Sequence, residues 1–418
     1  MHYDWIDNLI NSCPRYETGF TQLLACEPYC VKPDIFNSYQ KRLCCIKEFQ
    51  NISLEIFKES LKKKGDPLIL KWLLNDTPSS IGFSYHTQLD LHHFTSPIFF
   101  RTDEAEIGKI VEIQCPGSLW GELQIAYDYI YRINKNLDLP LSPSISFVKQ
   151  LNSLINKTPI IHHLLDNASV PSTMRYFIEK TRSGVKYFGI DPNIYPRDCN
   201  FIRSHSFFGL CAENEFKNRI KKMIDRMVIY DLPPHVLFDQ KATLILPFWS
   251  KTRCCFTDEI RNLFVYTTPL LPKGIELEDG SIISIESFSN KQRNERSYYL
   301  KYAGSDVSMN WGSKAVYRLS NMNSKQCLHY LQKGIKDFEK GRIWILQKDI
   351  KHDDEISYFD RDQNLCKERL RAKFSAFYGP YNCLGIIAMH RNFYKVHGQP
   401  ETVISLMIET QKKTKIVI

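Results

Sequence analysis

The stretch from Arg101 to Gly121, RTDEAEIGKIVEIQCPGSLWG, constrains the fold of this chain more than any other. Its pattern predicts two short strands joined by a tight turn at residues 107–109. Side chains alternate along a strand, so two polar residues share one face of the first strand and two more share one face of the second. These residues are Arg101, Asp103, Glu112 and Gln114. Polar groups that converge across a hairpin are costly to bury without partners. We therefore expect the rest of the chain to be built around this hairpin.

The composition predicts a packed globular protein. The chain has 418 residues, of which 43% are hydrophobic and 13% aromatic, which is enough for two or three domains. The formal charge of +9 is compatible with nucleic acid and equally with an anionic small molecule such as a nucleotide. No module of interleaved basic and aromatic residues supports a nucleic-acid partner, so we expect none.

The thirteen cysteines are spread out and contain no CxxC pair, which argues against a zinc ribbon or a thioredoxin-type site. The first residues lack the basic and apolar regions of a signal peptide, and no apolar run has membrane-spanning length. We therefore expect a reduced, cytoplasmic protein with no membrane partner.

Apolar spacing predicts a chain that mixes helices and strands. The first 75 residues have helical spacing, including the stretch 20–24. Further helical patterns occur at 123–134, 147–156, 160–166 and 171–181, and a strand is predicted at 185–190. This alternation predicts an α/β layer. Residues 275–297 are polar and are expected to be a loop.

The stretch 298–319, YYLKYAGSDVSMNWGSKAVYRL, has the parts of a phosphate-binding cover. A strand carries Lys301, a loop contains Gly304, Ser305 and Gly312, and a second strand returns. Backbone N–H groups of small residues and a lysine ammonium are suitable ligands for phosphate oxygens. The alternative is an ordinary hairpin with a long loop and a surface lysine.

Two later strands carry polar residues that suit a nucleotide or a substrate. Arg369, Arg371 and Lys373 alternate along one strand and would hold phosphate or a carboxylate, unless the strand is a solvated edge. Gln347 and Lys348 follow an apolar strand and would hydrogen-bond an adenine edge, unless they are only its polar end.

Asp103 and Glu112 would hold Mg²⁺ jointly, because Mg²⁺ prefers one or two carboxylates together with substrate phosphates. The amide oxygen of Gln114 is a further hard ligand. The alternative is a surface hairpin with scattered charges. The chain contains no GxxxxGK[ST], GxGxxG, GxSxG or HExxH motif, so P-loop, Rossmann, hydrolase and zincin sites lack support.

The pattern Arg101-x-Asp103 followed by Glu112-x-Gln114-x-Pro116-Gly117 resembles the magnesium-binding signature of ATP-grasp enzymes. In ordinary members of that family the signature follows the lysine strands, whereas here it precedes Lys301 and Gln347. That order resembles the circularly permuted branch typified by glutathionylspermidine synthase. The segment 239–241 and the ending from 391 to 398 also resemble that branch. Gln114 departs from the asparagine of the family, and the loop after Lys301 contains fewer glycines.

The resemblance implies a circularly permuted, ATP-grasp-like α/β (α+β) fold with an N-terminal helical region at 1–95. It further implies an α/β domain with the metal-binding hairpin at 96–235, and a nucleotide-binding lid with C-terminal strands at 236–418. The implied reaction is ATP- and Mg²⁺-dependent ligation of a carboxylate to an amine through an acyl phosphate. The substrates would be small molecules or peptides. The alternative is a degenerate ATP-grasp-like protein that binds nucleotide or a partner without catalysis.

The resemblance also assigns residues to roles. The catalytic residues would be Arg101, Arg371 and Arg391. ATP would be bound by Lys241, Lys301, Gly304, Ser305, Gly312, Gln347 and Lys348. The metal ligands would be Asp103, Glu112 and Gln114.

Overall fold

The computed structural model is a mixed α/β protein that describes most of the chain. The described residues are 22–62, 67–74, 87, 95–114, 119–135, 137–156, 159–164, 172–187, 200–204, 229–231, 235, 237–304, 306, 309, 314–396 and 400–410. The α-helices are α1 (Pro33–Leu61), α2 (Pro67–Leu74), α3 (Trp120–Ile133), α4 (Pro143–Ile155), α5 (Ser172–Thr181), α6 (Asp258–Leu263), α7 (Ile285–Asn290) and α8 (Ser324–Glu339). Short 3-10 helices lie at Leu237–Asp239, Lys241–Ile245, Arg253–Cys255 and Leu319–Asn321.

The strands of the described residues form four sheets. They are β1 (Leu23–Leu24), β2 (Tyr29–Val31), β3 (Phe100–Glu106), β4 (Lys109–Gln114), β5 (Ile160–Leu164), β6 (Lys186–Tyr187), β7 (Phe201–Ser204), β8 (Ile229–Tyr230), β9 (Thr267–Pro269), β10 (Ile275–Glu276), β11 (Ile282–Ile283), β12 (Tyr298–Tyr302), β13 (Val316–Arg318), β14 (Trp344–Lys348), β15 (Asp353–Phe359), β16 (Leu365–Tyr378), β17 (Cys383–Arg391) and β18 (Val403–Glu409).

The large sheet has the order β1-β18-β17-β16-β3-β4, with β15 added beside β16 and β2 beside β18. Its ladders are antiparallel except where β1 and β2 run parallel to β18. The predicted hairpin is confirmed as β3 and β4. Gly108 has φ 82° in the turn between them, a conformation that glycine adopts without steric cost.

Helices cover both faces of the large sheet, and alternation along its strands explains why. On one face, alternate residues of β16 such as Phe374 and Tyr378 join the apolar cluster that includes α1. On the other face, Phe377 packs against Trp120 of α3, with ring centroids 5.0 Å apart, in a second cluster with α4 and α5. Both cores need β16, so this strand is the centre of the structure.

A second, antiparallel sheet has the order β13-β12-β14-β9. Leu300, Trp344 and Leu346 point to the face that packs with α7 and α8. Alternation places the odd-numbered residues of β12 and the residue Gln347 of β14 on the opposite face. That opposite face is turned toward the hairpin, because Gln347 reaches the backbone of β4.

The third sheet is parallel, with the order β6-β5-β7-β8, which confirms the predicted α/β layer. The helical prediction for 160–166 was wrong, because Ile160–Leu164 is strand β5 between two parallel partners. Its two adjacent isoleucines favour an extended backbone, and pairing on both sides overrides the apolar spacing that suggested a helix.

Two other local predictions need correction. Leu23 and Leu24 were expected in a helix but pair with Val403 and Ile404, since an apolar pair can complete the edge of a sheet. The expected loop at 275–297 contains the β10–β11 hairpin and helix α7, which Ser284 caps by accepting a hydrogen bond from the Ser287 N–H.

The described residues contain no helix that combines the length and the apolarity needed to cross a bilayer. The sequence pattern also predicts a charged helix at 215–227 followed by a strand at 227–230. Only Ile229 and Tyr230, in β8, belong to the described residues, so the helical part of that prediction lies outside them.

Candidate functional site

The hairpin brings its predicted polar residues together on one face. Asp103 pairs directly with Glu112 across the β3–β4 ladder, and Arg101 pairs with Gln114. Residues opposed in an antiparallel ladder lie on the same side of the sheet. The other neighbour of β3 in the sheet is β16. Its residue Ser375 pairs with Asp103 and donates a hydrogen bond to the Oδ1 atom of Asp103 at 2.6 Å.

Arg101 and Asp103 form a buried, two-bonded ion pair. Arg101 Nε donates to Asp103 Oδ1 at 2.9 Å, and Arg101 Nη2 donates to Oδ2 at 3.0 Å. The Arg101 residue has 0% exposure and Asp103 has 4%. A planar guanidinium that meets both carboxylate oxygens is a geometrically specific contact. Arg101 thus fixes the orientation of the carboxylate at the centre of the hairpin.

Glu112 is held by a lysine from a distant part of the chain. Lys241, at the start of the 3-10 helix Lys241–Ile245, places its Nζ 3.1 Å from Glu112 Oε1. Gln114 Nε2 donates to the same oxygen at 3.0 Å. Three of the residues assigned to nucleotide or metal are therefore in direct contact.

The second sheet supplies the opposite wall through Gln347. Lys301 Nζ donates to Gln347 Oε1 at 2.5 Å. The amide of Gln347 donates in turn to the Val111 carbonyl at 3.2 Å and to Thr267 Oγ1 at 3.0 Å. Val111 precedes Glu112 in β4, so a single glutamine joins the lysine strand to the strand that carries the carboxylate.

Two lysines between the sheets have lowered pKa values, because they are buried and lie close to other cations. Burial lowers the pKa of Lys301 to about 7, and the neighbouring charges of Lys373 and Lys241 add to the effect, while Glu112 and Asp103 oppose it. Burial also lowers the pKa of Lys373, helped by Arg371 and opposed by Asp103 and Glu112. Positive groups therefore outnumber the carboxylates here, as a polyanion would require.

Lys373 differs from the other cations of this cluster in its contacts. Among the described residues, its ammonium takes part in no hydrogen bond or ion pair, although it lies within electrostatic range of both hairpin carboxylates. The sequence pattern predicted that Lys373 alternates with Arg369 and Arg371 along one strand, which is β16. The same strand carries Arg369 into solvent opposite Glu355, away from the cluster.

Arg371 is engaged by a residue that sequence reasoning did not select. Its Nη2 donates to Asp349 Oδ1 at 2.6 Å and to the Ile350 carbonyl at 2.7 Å. Arg318 of β13 donates from Nε to Asp349 Oδ2 at 2.7 Å. Burial raises the pKa of Asp349, but the two guanidinium groups outweigh that effect and leave it below its usual value. Alternation would have placed Asp349 on the same side as Gln347, and that signal was present in the sequence.

Other predicted residues lie apart from the cluster or outside the described residues. Lys348 points away from Gln347 and forms an exposed ion pair with Glu278 at 2.6 Å. Arg391 pairs in register with Arg371, and its Nη1 donates to the Lys395 carbonyl at 3.0 Å. Gly304 is buried just after β12. Ser305 and Gly312 lie outside the described residues.

The hairpin residues fit a magnesium–polyphosphate group by the chemistry of their donor atoms. Asp103 and Glu112 offer carboxylate oxygens from directly opposed positions, and cations from three other segments surround them. Across the described ranges, no group of three or more His, Cys, Asp or Glu side chains is arranged to hold a metal ion. A divalent ion here would therefore depend on two carboxylates plus ligand phosphates, and it would compete with Lys241 for Glu112.

Comparison with known proteins identifies a similar fold and no sequence family. No family model matches the chain, and no curated protein matches it. A putative gamma-glutamylcysteine synthetase from Methylobacillus flagellatus has 9% identity and a TM-score of 0.36, over 73% of this chain and 78% of that one, a likeness too low to support an argument. A glutathione synthetase-like effector from Globodera pallida, solved in its apo form, has 13% identity and a TM-score of 0.53 over 98% of this chain and 95% of that one. This chain therefore has a fold similar to that of a glutathione synthetase-like protein, which fits the expected ATP-grasp-like α/β architecture.

Proposed function

We propose that this chain is an ATP- and Mg²⁺-dependent carboxylate–amine ligase that works through an acyl phosphate. The observation that carries the proposal is the contact between the two sheets. Lys301 binds Gln347, Gln347 binds the backbone of β4, and β4 presents Glu112 to Lys241. Two carboxylates among several lysines make a suitable site for the phosphates and metal of a nucleotide.

The order of these parts along the chain supports a circularly permuted member of the ATP-grasp group, of the type of glutathionylspermidine synthase. The metal-binding hairpin precedes the Lys301 strand in sequence, although the two meet in space. The similar fold of a glutathione synthetase-like effector agrees with an amide-forming ligase. We retain the three regions 1–95, 96–235 and 236–418, and a cytoplasmic location, as parts of the proposal.

Each group in the site has a role in such a reaction. Bound ATP and Mg²⁺ would supply the phosphoryl group that converts an unreactive carboxylate into an acyl phosphate, which an amine can attack. Asp103 and Glu112 would hold the metal, with Gln114 beside them, and Arg101 fixes Asp103. Lys241, Lys301 and Lys373 would bind phosphate oxygens.

The remaining assigned residues form the surroundings of the phosphates. Gln347 and Lys348 are retained in the proposal as adenine-binding residues, and Gly304, Ser305 and Gly312 are retained as phosphate-binding residues. Arg391 holds a substrate anion. The buried contacts between the two sheets exclude water, which would otherwise hydrolyse the activated carboxylate.

A nucleotide-binding protein without ligase activity is the second candidate, and one observation favours it. Both hairpin carboxylates are already paired with cations of the chain itself, Asp103 with Arg101 and Glu112 with Lys241. Ion pairs of this kind reduce the negative charge that attracts a divalent ion. Such a protein would bind ATP without turning it over.

An ADP-release screen separates the two candidates. Purified protein is incubated with Mg²⁺, ATP and a panel of amino acids, short peptides and polyamines, and ADP formation is followed. A ligase releases ADP only when both a carboxylate and an amine substrate are present. Glu112→Ala should abolish the release, while Glu106→Ala, at the far end of β3, should leave it intact.

The binding of nucleotide is measured in parallel by thermal stabilisation. Stabilisation by ATP, with or without Mg²⁺, that is not accompanied by ADP release from any substrate pair would favour the non-catalytic candidate. If ATP stabilises the wild-type protein neither with Mg²⁺ nor without it, both candidates are wrong.

A further inference from the structure

We propose that Cys254 and Cys255 form a reversible oxidation site, at which a low-molecular-weight organic disulfide converts the two thiols into a disulfide between adjacent residues. The inference goes beyond the proposed ligase function and does not depend on it. It rests on the position of the two cysteines, on the contact between their thiols and on the groove beside them. A second pair of adjacent cysteines, Cys44 and Cys45, has a different arrangement and provides the comparison.

Cys254 and Cys255 lie at the surface, in a turn whose ends are held. They belong to the 3-10 helix Arg253–Cys255, both are exposed, and neither is in a disulfide. The residues on either side of this helix, Thr252 and Phe256, are buried. Arg261 of α6 donates to the carbonyl groups of Arg253 and Phe256, at 2.8 and 2.5 Å. The turn therefore presents two thiols to solvent on a fixed backbone.

The two thiols are in contact with each other. Burial raises the pKa of Cys255, and Cys254 adds to the rise through its charge and through a hydrogen bond between the two side chains. Disulfide exchange requires one sulfur to reach the other. Thiols that share a hydrogen bond already satisfy this requirement, so the second step of an oxidation needs little movement of the side chains.

A groove beside the pair has room for a small organic molecule. Its volume is about 580 Å³, which is within the range of ligand pockets. Lys251, Thr252 and Cys255 line it from the side of the turn. Ile56 of α1 and Ile69 of α2 also line it, and its surface is mainly apolar. The organic group of a small disulfide therefore has a place next to the two sulfurs.

The oxidation consists of two thiol–disulfide exchanges. The thiolate of Cys254 attacks one sulfur of the small disulfide RSSR, forms a mixed disulfide and releases RS⁻, which takes up a proton. Cys255 then gives up its thiol proton and attacks the Cys254 sulfur, which breaks the mixed disulfide and releases the second RS⁻. The protein loses two protons and two electrons, and RSSR is reduced to two RSH. Cys254 attacks first because the raised pKa of Cys255 keeps that thiol protonated.

The product is easily reduced, because adjacent residues are poorly placed for a disulfide. Neighbouring Cα atoms across a trans peptide are about 3.8 Å apart, whereas disulfides usually join Cα atoms about 4.4–6.8 Å apart. A bond between Cys254 and Cys255 therefore strains the turn, and strained, exposed disulfides are the labile ones. Ordinary thiols return the pair to the reduced form, so the site responds to the ratio of disulfide to thiol around it.

Cys44 and Cys45 are also adjacent in sequence but differ in structure. They lie within the helix α1, where successive side chains point about 100° apart. Cys45 is half-buried and donates to Glu259 Oε1 at 3.3 Å. Burial raises the pKa of Cys45 to about 11, and Glu259 adds to the rise. We therefore expect this pair to be oxidised much more slowly in the folded protein.

Peptide mapping measures both pairs in one experiment, because trypsin releases them on separate peptides, 254–261 and 43–47. The reduced protein is incubated with bis(hydroxyethyl) disulfide, its remaining thiols are alkylated, and it is digested. The peptide 254–261 should lose two hydrogen atoms at least about tenfold faster than 43–47, and mercaptoethanol should restore them. Equal rates for the two peptides would overturn the inference. A stable mixed disulfide on 254–261, or an oxidation that mercaptoethanol does not reverse, would also overturn it.

Two controls test whether the turn is the cause of the reactivity. In concentrated urea the two peptides should be oxidised at similar rates, because neither pair then has a folded environment. A preference for 254–261 that persists in urea would mean that the local sequence sets the rate, which contradicts the inference. Cys255→Ser, an exposed position, should stop the reaction at the mixed disulfide on Cys254. If this variant gains no mixed disulfide, Cys254 is not the attacking residue and the proposed order is wrong.

Discussion

Lys301 donates a hydrogen bond of 2.5 Å to Gln347, and this buried ammonium has neighbours of both charges. Burial and the charges of Lys373 and Lys241 lower its pKa to about 7, from an ordinary value of 10.5. The lysine is thus largely neutral at pH 8.5 in the free protein, although the site is suited to phosphate. Binding of a polyanion would restore its proton.

We therefore predict that ATP binding takes up protons at pH 8.5. The added negative charge favours the ammonium form and raises the pKa of Lys301, so up to about one proton is absorbed per nucleotide. Calorimetric titration in Tris and in HEPES measures the uptake from the difference in apparent enthalpy. Lys301→Met should lose the difference, whereas Lys325→Met, exposed on α8, should keep it. Equal enthalpies in both buffers for the wild type would contradict the prediction.

The same lysine predicts how stability without nucleotide depends on pH. Between about pH 7 and 10.5 the unfolded chain binds more protons at this residue than the folded chain, so the free energy of unfolding rises with pH. Lys301→Met removes that contribution. Urea titrations at pH 7 and pH 9.5 should show a smaller gain for the variant than for the wild type. An identical gain in both proteins would mean that Lys301 keeps its proton in the fold.

Arg101 and Asp103 should be strongly coupled in their effect on stability. Removal of one partner leaves the other as a buried charge, at a cost of about 3–5 kcal/mol. We predict that Arg101→Met and Asp103→Asn each destabilise the protein, and that the double variant loses less than the sum of the two. Urea denaturation of the four proteins gives the coupling energy. Strict additivity would show that the bidentate contact contributes nothing to stability.

Gly121 should be required for the contact between α3 and α5. A Cβ atom built there would lie 1.8 Å from the Thr173 carbonyl oxygen, so backbone would have to move. We predict that Gly121→Ala costs at least about 1–3 kcal/mol, the range for overpacked sites. Gly280→Ala is the control, because Gly280 has φ +84° but nothing within 4 Å, so only its backbone conformation is penalised. A smaller loss for Gly121→Ala than for the control would contradict the steric argument.

Glu122 should be more stable as an amide at neutral pH. Thr173 donates to its Oε1 at 3.1 Å, but its buried Oε2 has no hydrogen-bond partner among the described residues, and burial raises the pKa of the carboxyl, with Arg101 a smaller opposing influence. Because the pKa of this carboxyl is raised in the folded protein, its contribution to stability falls as the pH rises above the pKa that the same carboxyl has in the unfolded chain.

We therefore predict that Glu122→Gln raises the free energy of unfolding at pH 8 and has a smaller effect at pH 4.5. Urea titration at the two pH values measures both effects. Glu286→Gln provides the control, because Glu286 is exposed on α7. That change should have nearly the same small effect on the free energy of unfolding at both pH values. A loss of stability at pH 8 in Glu122→Gln would show that the buried carboxylate of Glu122 carries no penalty.

Local patterns were sufficient to predict the hairpin, because alternation alone determines which of its residues share a face. The same rule placed Lys301 and Gln347 on strands. It could not place them beside Glu112, since that contact joins segments far apart in sequence and depends on how two sheets pack. Lys241 was chosen only from family resemblance, and its contact with Glu112 comes from a short 3-10 helix without a sequence signature.

The ion pairs within the site could not be predicted from the sequence. Arg371 and Lys373 have the same pattern on their strand, yet Arg371 is bound to Asp349 and Lys373 has no such partner among the described residues. The difference comes from the end of β14, which brings Asp349 to β16. The strand at 160–164 was missed for a related reason. Its neighbours in the parallel sheet, and not its own spacing, determine its conformation.

The pairing of β1 and β2 with β18 has a consequence for how the protein is made. Leu23 pairs with Val403, so these partners are roughly 380 residues apart in sequence. A ribosome delivers β1 and β2 long before β18, so both early strands lack their partner in the large sheet until β18 has been synthesised. The apolar residues of β1 must remain free of aggregation during that interval. This edge of the sheet therefore forms only after β18 is available, and chaperone binding to the early segment would be advantageous until then.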